Sequence, residues 1–302
     1  MTWTALIPPA AGVLLAPLLF GIINRTKAFF AGRRGQPLLQ LYHDVLKLLR
    51  KGVTYSRTTT WVFRAGPITG LAAVLAALAL VPMGGVPAPL SFAGDLLLFA
   101  YLLGLMRFVT VLAALDTGSS FEGMGASREV CFSALAEPAL LFSLAAVAME
   151  TRTLSLSGML AVTPESWRSQ GPALGLVTVA LGVVLLAENA RIPVDDPNTH
   201  LELTMIHEVM VLDHGGPDLA FILYGAALKL WVMGALLVGL AVPLRIGHAL
   251  LDAGVFLCGM LVLGIVIGVV ESSMARLRLV GVPKLLVGAT ALAVLALVLV
   301  LR

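Results

Sequence analysis

The chain has 302 residues, of which 59% are hydrophobic and only 12% are charged. Soluble domains carry about 25% charged residues, so this composition excludes a soluble globular protein and predicts an integral membrane protein. The net charge of +3 at pH 7 is small, and we expect the lipid bilayer, and not nucleic acid, as a partner.

Apolar stretches long enough to cross a hydrocarbon core of about 30 Å as helices recur along the whole chain. They cover roughly residues 4–24, 66–86, 92–115, 131–150, 172–190, 219–243, 249–271 and 283–301. Neither an internal repeat nor a low-complexity linker separates them. The pattern predicts an all-α polytopic membrane protein with about eight transmembrane helices, folded as a single transmembrane domain over residues 1–302.

The basic residues are concentrated in alternate connections between these spans. The richer set contains Arg25, Lys27, Arg33, Arg34, Lys47, Arg50, Lys51, Arg57, Arg64, Arg128, Arg191, Arg276, Arg278 and Lys284. The poorer set contains Arg152, Arg168, Arg245 and Arg302. By the positive-inside rule the richer set faces the cytoplasm, which predicts that both chain termini lie outside.

A segment of the first cytoplasmic connection, about residues 37–50, has an apolar face at helical spacing. Its sequence, PLLQLYHDVLKLLR, places leucine, tyrosine and valine side chains on one side and polar side chains on the other. The pattern predicts an amphipathic helix on the inner membrane surface. The alternative is a solvated connector that touches lipid headgroups.

The most polar connection covers about residues 187–217 and is called the polar connection below. Glu188 and Arg191 are three residues apart, so the sequence predicts an ion pair between them on one helical face. Pro193 predicts that this helix ends before Ile192 and that an irregular segment follows.

A second helix is predicted in the polar connection, because Thr199 and Glu202 form a capping box at its start. The glycines and proline at 215–217 would close it. The histidines at seven-residue spacing would share one face of a continuous helix; they are His200, His207 and His214. Together with Asp213 they could hold a metal ion, or they could simply contact a partner subunit.

Familiar metal and cofactor motifs are absent from the sequence. His207 and Glu208 begin the H-E-x-x-H zinc pattern, but Val211 replaces the second histidine, which excludes the usual zinc-hydrolase motif. Cys131 and Cys258 lack metal-ligand spacing and are interpreted as buried small hydrophobic residues. We find no iron–sulfur cysteine cluster and no nucleotide-binding loop, and therefore expect no cofactor or metal bound by this chain.

Ionisable side chains inside predicted spans are costly and usually mark ion pathways or structural ion pairs. They are Arg107, Glu137, Glu150, Lys229 and Glu271, with Glu122, Arg128 and Glu129 just before the fourth span. One interpretation pairs Arg107 and Lys229 with these acids as structural ion pairs. The other joins buried carboxylates into a water-accessible proton relay, made of Glu129, Glu137, Glu188 and Glu202.

Several of these segments resemble the complex I subunit that roofs the quinone chamber and joins the membrane arm to the redox arm. The polar connection contributes Glu188-Asn-Ala-Arg191-Ile-Pro193-Val-Asp195-Asp-Pro197 and Glu202-Leu203 to this resemblance. The rest of the chain contributes Arg33-Arg34-Gly35, Leu39-Gln40, Asp44, Lys47, Gly125-Ala-Ser-Arg128-Glu129, Glu137-Pro138 and Glu271-Ser-Ser-Met-Ala-Arg276-Leu-Arg278-Leu. The resemblance spans most of the chain.

Within that family the chain is most similar to the membrane subunit of group-four nickel–iron hydrogenases, in the hydrogenase-four component C and formate hydrogenlyase branch. The run HLELTMIHEVMVLDH is the main reason for this assignment. Quinone-reducing members carry further acids where this chain has Asn198 and His200. Their first connection is also longer between Gly35 and Leu38.

The resemblance implies a non-catalytic, multi-pass membrane anchor of an oxidoreductase complex in a bacterial cytoplasmic (inner) membrane. The nickel–iron centre and the iron–sulfur clusters would belong to peripheral large, small and iron–sulfur subunits, and antiporter-like subunits would be its membrane neighbours. Redox chemistry there would change proton affinities in the polar connection, and protons would pass inward along the carboxylates. The predicted relay and coupling residues are Glu129, Glu137, Glu188, Asp195, Glu202, His207, Glu208 and Lys229. The predicted loop-orienting and interface residues are Arg33, Arg34, Asp44, Arg128, Arg191, His200 and Asp213.

Other functions stay open on the sequence alone. A quinone-chamber subunit of a complex I-type NADH:quinone oxidoreductase is the nearest alternative, and a stand-alone ion transporter is another. A purely structural anchor would need none of the predicted carboxylates for coupling. Simpler roles are also open for single residues, since Glu202 could serve only as a helix cap and Arg191 only as a partner of Glu188.

Overall fold

The computed structural model describes residues 3–195, 206–244 and 246–302. Nine α-helices and two short 3₁₀ helices occupy these residues, and no strand is found among them. The α-helices are α1 (Ile7–Phe30), α2 (Gln40–Leu49), α3 (Trp61–Leu78), α4 (Asp95–Asp116), α5 (Ser120–Thr151), α6 (Leu156–Glu188), α7 (Gly216–Ala241), α8 (Ala249–Ser273) and α9 (Gly281–Val300). All except α2 are long and apolar enough to cross a membrane, which confirms the predicted all-α polytopic fold.

Two of the spans are much longer than their apolar cores predicted. Helix α5 begins at Ser120 and α6 at Leu156, although their predicted starts were at residues 131 and 172. The charged residues at the start of α5 lie before the predicted span, but they continue the helix. Helix α6 is kinked at Gln170, where the backbone is non-helical, two residues before Pro172. A proline inside a helix lacks the N–H donor and its ring clashes with the carbonyl four residues earlier, which kinks the helix.

The predicted amphipathic helix is present as α2. It has no buried residue, and leucines such as Leu46 and Leu49 are exposed. The Tyr42 hydroxyl donates a hydrogen bond to the Leu14 carbonyl of α1, and α2 also packs against α7. The helix therefore packs against the interior of α1 and against α7, with a row of leucines left uncovered. Its location on the inner membrane surface remains a prediction.

Helix α7 is the central element of the bundle. Every residue from Ala227 to Val238 is buried, and the helix packs against α1, α2, α3, α6 and α8. Helices α5, α6 and α9 pack together on one side, and α3 packs along α4. Because Lys229 lies within the buried part of α7, its charge must be neutralised by neighbouring helices.

The second helix predicted in the polar connection is wrong where the structure describes it. Residues Glu208–Val211 form a single 3₁₀ turn, so His207 and His214 do not share the face of a continuous helix. Gly215 and Pro217 do not close a helix; they begin α7, with Gly215 as its N-cap and Pro217 in its first turn. The capping box of Thr199 and Glu202, together with His200, lies outside the described residues.

The cysteines also differ from their prediction. Cys131 and Cys258 are both exposed in this structure, on helices long enough to span the membrane. An apolar residue of a spanning helix can face lipid as readily as protein, because lipid tails are as apolar as a protein interior. Hydropathy alone therefore did not distinguish the two environments.

Candidate functional site

A buried glutamate at the end of α6 connects three helices by ion pairs. Glu188 Oε1 lies 2.9 Å from Arg107 Nη1 of α4, and Glu188 Oε2 lies 3.0 Å from Lys229 Nζ of α7. Lys229 Nζ also donates a hydrogen bond of 2.6 Å to the Glu188 carbonyl oxygen. The three side chains are at most 10% exposed. Two buried cations thus surround one buried carboxylate.

A second carboxylate lies beside this triad and shares a cavity with it. Glu129, on α5, lines a cavity of about 50 Å³ together with Glu188, His207 and Lys229; we call it the glutamate cavity. A smaller cavity of about 10 Å³ on the other side is lined by Arg107, Glu129, Glu188 and Asp195. A water molecule needs roughly 10–15 Å³ of such space and polar partners. The glutamate cavity meets both conditions.

The ends of the undescribed part of the polar connection are held by Asp195. Asp195 Oδ1 lies 2.9 Å from Arg276 Nη2, and Oδ2 accepts hydrogen bonds from the backbone N–H groups of Ile206 at 3.1 Å and His207 at 3.3 Å. The Leu277 N–H donates to the Pro193 carbonyl at 2.9 Å. One buried carboxylate therefore joins the two edges of this segment to the residues that follow α8.

Arg191 takes part in a separate buried ion-pair group. Its Nη1 lies 3.2 Å from Glu271 Oε1, and Glu271 Oε2 lies 2.8 Å from Lys27 Nζ of α1. The guanidinium also lies over the Phe20 ring, 4.3 Å from its centroid. Burial lowers the pKa of Arg191, while the charge of Glu271 opposes this shift. Arg191 therefore ties the polar connection to α1 and α8.

The predicted ion pair between Glu188 and Arg191 is wrong. Helix α6 ends at Glu188, and Ala190 adopts a left-handed φ of 48°. The Arg191 N–H donates to the Leu186 carbonyl at 2.9 Å and the Ala190 N–H to the Ala187 carbonyl at 3.2 Å, which is the Schellman pattern of a helix end. This turn takes Arg191 out of the helical register, so the two charges find different partners.

His207 connects the glutamate cavity to a smaller one. A cavity of about 20 Å³, the histidine cavity, is lined by His207, His214, Met106 and Thr110, and three of these residues also line the glutamate cavity. Burial and the charge of Lys229 lower the pKa of His207 to about 4. Burial lowers the pKa of His214 to about 4. Both imidazoles are therefore neutral at pH 7.

His214 is also held by an aromatic contact. Its ring stacks on Phe63 of α3, with centroids 3.9 Å apart and an interplanar angle of 7°. Its Nδ1 is buried and has no hydrogen-bond partner among the described residues. An unpaired buried nitrogen costs free energy, and the adjoining cavity leaves room for a water molecule to satisfy it.

The remaining predicted residues lie apart from this site. Glu137 is half-buried on α5 and lines neither cavity. Arg33 and Arg34 are exposed after α1, and Asp44 accepts a hydrogen bond of 2.9 Å from Gln40 within α2. The other predicted residues are placed as follows: Arg128 donates to Met124 Sδ, the Asp213 N–H donates to Glu122, and Glu208 begins the 3₁₀ turn. Glu202 and His200 lie outside the described residues.

Four charged residues of these ion-pair groups are missing from the predicted set, namely Lys27, Arg107, Glu271 and Arg276. Arg107 and Glu271 lie inside predicted spans, and this intramembrane position is the sequence signal that could identify them as site residues. Arg276 had been counted only as a cytoplasmic basic residue. The ion-pair partners themselves could not be predicted from sequence spacing, which only identifies neighbours on one helix. Arg107 and Glu188 are 81 residues apart, and Arg191 and Glu271 are 80 residues apart.

The possible metal site consists of His200, His207, Asp213 and His214, of which His200 lies outside the described residues. Among the described residues, no group of three or more His, Cys, Asp or Glu side chains could hold a metal ion. His207 and His214 both line the histidine cavity, together with apolar groups such as Pro67 and Phe221. The positions of His207, Asp213 and His214 therefore do not support a metal site among the described residues.

Known proteins resemble this chain along its whole length. The sequence model of the NADH dehydrogenase family matches residues 4–301. The chain is 31% identical over 277 residues to formate hydrogenlyase subunit 4 of Escherichia coli (strain K12), covering 90% of this chain and 89% of that protein. It is 32% identical over 275 residues to hydrogenase-4 component C of the same organism, covering 88% and 85%.

A solved structure has the same fold. A chain of the membrane-bound sulfane sulfur reductase, an archaeal respiratory membrane complex, superposes with a TM-score of 0.84 over 98% of both chains. The two sequences are only 22% identical, so this likeness concerns the fold alone.

Proposed function

We propose that this chain, which belongs to the NADH dehydrogenase family of complex I-type membrane subunits, is the anchor and coupling subunit of a hydrogenase of the formate hydrogenlyase or hydrogenase-four type. The peripheral large, small and iron–sulfur subunits would carry the nickel–iron centre and the iron–sulfur clusters. Antiporter-like subunits would be its neighbours in the bacterial inner membrane. The names of the two curated relatives support this assignment.

The observation that carries the proposal is the position of Glu188. It lies between Arg107 and Lys229 and faces the same cavity as Glu129. Carboxylates that line one small buried cavity interact electrostatically, and interacting sites exchange protons as a coupled pair. When Glu188 takes up a proton, Arg107 and Lys229 lose their anionic partner and favour the ionised form of Glu129. A proton arriving at one carboxylate therefore promotes release from the other, which is the elementary step of a relay.

The connection to redox chemistry would pass through the polar connection. Asp195 and Arg191 attach the polar connection to Arg276 and Glu271. Glu188, near the start of the polar connection, pairs with Arg107 and Lys229. A charge or conformational change in a peripheral subunit would move these ion pairs and alter the proton affinities of Glu188, Asp195, Glu202 and His207. Glu208 would extend the set at the cytoplasmic end, and Glu137 would continue the path into the membrane.

The cavity volumes favour protons and water over a quinone. Pockets for small organic ligands measure roughly 300–1,000 Å³. The two cavities beside Glu188 measure about 10 and about 50 Å³ among the described residues. They can hold a few water molecules, which conduct protons between carboxylates, but not a quinone headgroup.

The test uses the assembled complex reconstituted in liposomes. Glu188→Gln and Glu129→Gln keep side-chain size but remove the titrating group. We expect each assembled variant to evolve hydrogen, while the number of protons moved per hydrogen molecule falls to near zero because the relay is interrupted. Glu129→Gln keeps the test open if loss of the Glu188 ion pairs prevents assembly. Hydrogen evolution and a pH-sensitive dye inside the liposomes are recorded together.

The matched control is Glu165→Gln, an exposed glutamate of α6 on the opposite side of its kink. The Glu165→Gln complex should move as many protons per hydrogen molecule as the unmodified complex. A normal proton-to-hydrogen ratio in an assembled Glu188→Gln complex would remove Glu188 from the relay. Proton transport by the purified chain alone would instead indicate a stand-alone transporter.

A further inference from the structure

A wide basic cavity lies at the end of α1, away from the glutamate cavity. It measures about 500 Å³ and is bounded by the last turns of α1 and α8 and by the segment after α1. Its polar lining includes Lys27, Arg33 and Arg34. The volume is more than ten times the ~30 Å³ that one water molecule occupies in the liquid. The basic cavity can thus accept a polar headgroup.

The charges in the basic cavity are not balanced by the protein. Its one acidic residue, Glu271, is buried and already paired with both Lys27 and Arg191. Arg33 and Arg34 are exposed and form no ion pair with any described residue. Two guanidinium groups therefore face the cavity without an anion. Guanidinium groups bind phosphate oxygens through paired N–H donors.

The surroundings of the basic cavity are apolar and suit a lipid. Phe29 and Phe30, which end α1, are 80% and 57% exposed, and Phe30 also lines the cavity. Helix α8, whose end forms another wall, exposes an uninterrupted apolar strip of Val262, Ile265, Val266 and Val269. This strip leads from the membrane interior towards Ser272 at the cavity wall. The arrangement places a cationic cavity directly above a surface that acyl chains can cover.

We propose that the basic cavity binds the phosphate group of an anionic phospholipid, whose acyl chains lie along the exposed strip of α8. Arg33 and Arg34 hold the phosphate, and Phe29 and Phe30 anchor the helix end at the interface, where aromatic side chains prefer to lie. Basic cavities between spanning helices on the cytoplasmic side are suited to anionic headgroups. An acidic protein partner would use the same arginines, but it would not account for the adjoining apolar strip.

The test uses the full chain, purified in mild detergent and stripped of lipid. Dioleoylphosphatidylglycerol and dioleoylphosphatidylcholine, which share acyl chains and differ in headgroup charge, are titrated separately, and bound lipid is counted by native mass spectrometry. We expect preferential binding of phosphatidylglycerol. The double variant Arg33→Gln, Arg34→Gln should bind it about 30-fold more weakly, as expected for the loss of two basic residues at an anionic surface.

A matched control removes two other exposed arginines of the same connection, Arg50→Gln and Arg57→Gln, neither of which lines the cavity. It should bind phosphatidylglycerol as the unmodified chain does. Lys27 is left in place because its ion pair with Glu271 is structural. Thermal unfolding of each variant establishes that folding is unchanged.

Several outcomes would overturn the proposal. Equal binding of the two lipids, or an equal loss in the control variant, would show that no site exists at the cavity. Complete displacement of phosphatidylglycerol by millimolar inorganic phosphate, with no dependence on acyl chains, would indicate a free-anion site. A complex without bound lipid, in which a partner subunit shields Arg33 and Arg34 from a guanidinium-modifying reagent, would show that these arginines contact protein instead of lipid. None of these results bears on the Glu188 relay.

Discussion

At the scale of single residues, this protein keeps its buried charges paired across distant segments. Glu271 forms ion pairs with both Lys27 and Arg191 through a side chain that is fully buried. Glu188 likewise pairs with both Arg107 and Lys229. Removing one partner of a buried pair leaves an uncompensated charge, which costs about 3–5 kcal/mol. Both glutamates therefore stabilise the fold, and Glu188 is in addition the proposed proton-transfer residue.

The buried histidines make stability depend on pH. The pKa of His214 is about 4 in the folded chain, below the ordinary value of about 6.5 in an unfolded chain. Between these values the unfolded state binds more protons, so the free energy of unfolding falls as the pH falls from about 6.5 towards 4. From pH 7 to pH 5, this one group should lower it by about 2 kcal/mol.

The measurement is equilibrium unfolding in detergent at pH 7 and pH 5. His214→Gln should lose about 2 kcal/mol less than the unmodified chain over this interval, because glutamine does not titrate. The control is His43→Gln, an exposed histidine of α2, which should leave the pH dependence unchanged. The same pH dependence in His214→Gln and in the unmodified chain would contradict the burial argument.

The charged residues show how far sequence reasoning reaches at this scale. Intramembrane position identified Arg107 and Lys229 as special, because unpaired charges are costly there, and the polar connection identified Glu188. It could not identify their partners, since Glu188 meets Arg107 and Lys229 only when three helices pack together. The three-residue spacing predicted an ion pair between Glu188 and Arg191. The pair does not form because the left-handed turn at Ala190 takes Arg191 out of the helical register.

At the scale of elements, a close approach between α5 and the polar connection positions the site. Gly125 of α5 faces the 3₁₀ turn, and an added Cβ would lie 2.9 Å from the Ile206 carbonyl oxygen and 3.0 Å from Met210 Cγ. A side chain there would push the turn away from α5. The glutamate cavity would then change shape, because Met210 and His207 both line it.

We expect Gly125→Ala to lower the free energy of unfolding by about 1–3 kcal/mol, as overpacking usually does. Hydrogen exchange at the Ile206 and His207 amides should accelerate, because their bonds to Asp195 lengthen. Gly123→Ala is the matched control, since a Cβ at Gly123 meets no atom within 4 Å. Alanine there should stabilise the helix by up to about 1 kcal/mol. Equal exchange rates in both variants would show that the turn adapts without cost.

The elements also show why hydropathy predicted the number of spans better than their limits. Apolar length identified all the spanning helices, because a bilayer requires about 20 apolar residues in each. The start of α5 was missed because Glu122, Arg128 and Glu129 are charged, yet Glu122 is buried and accepts a hydrogen bond from the Asp213 N–H. The charges of these side chains predicted a solvated loop. In the structure, packing against the polar connection provides a partner for Glu122 instead.

At the scale of the whole molecule, the site, the amphipathic helix and the basic cavity are all attached to connections predicted to face the cytoplasm. Arg276 and Asp195 join two of these connections, and Arg191 joins a third through Glu271 and Lys27. A peripheral subunit docked on that side would therefore contact the segment that holds Glu188. The orientation of the chain is thus a condition of the proposed coupling.

Orientation can be measured with single cysteines in a chain whose exposed Cys131 and Cys258 are replaced by serine. Arg57→Cys lies in the arginine-rich first connection and Arg302→Cys at the C-terminus, and both positions are exposed. By the positive-inside rule, a membrane-impermeant thiol reagent should label residue 302 in intact spheroplasts and residue 57 only in inverted vesicles. Permeabilised membranes, in which both must react, serve as the control. The reverse pattern would place the polar connection outside, where no cytoplasmic redox subunit could reach it, and would rule out the coupling mechanism.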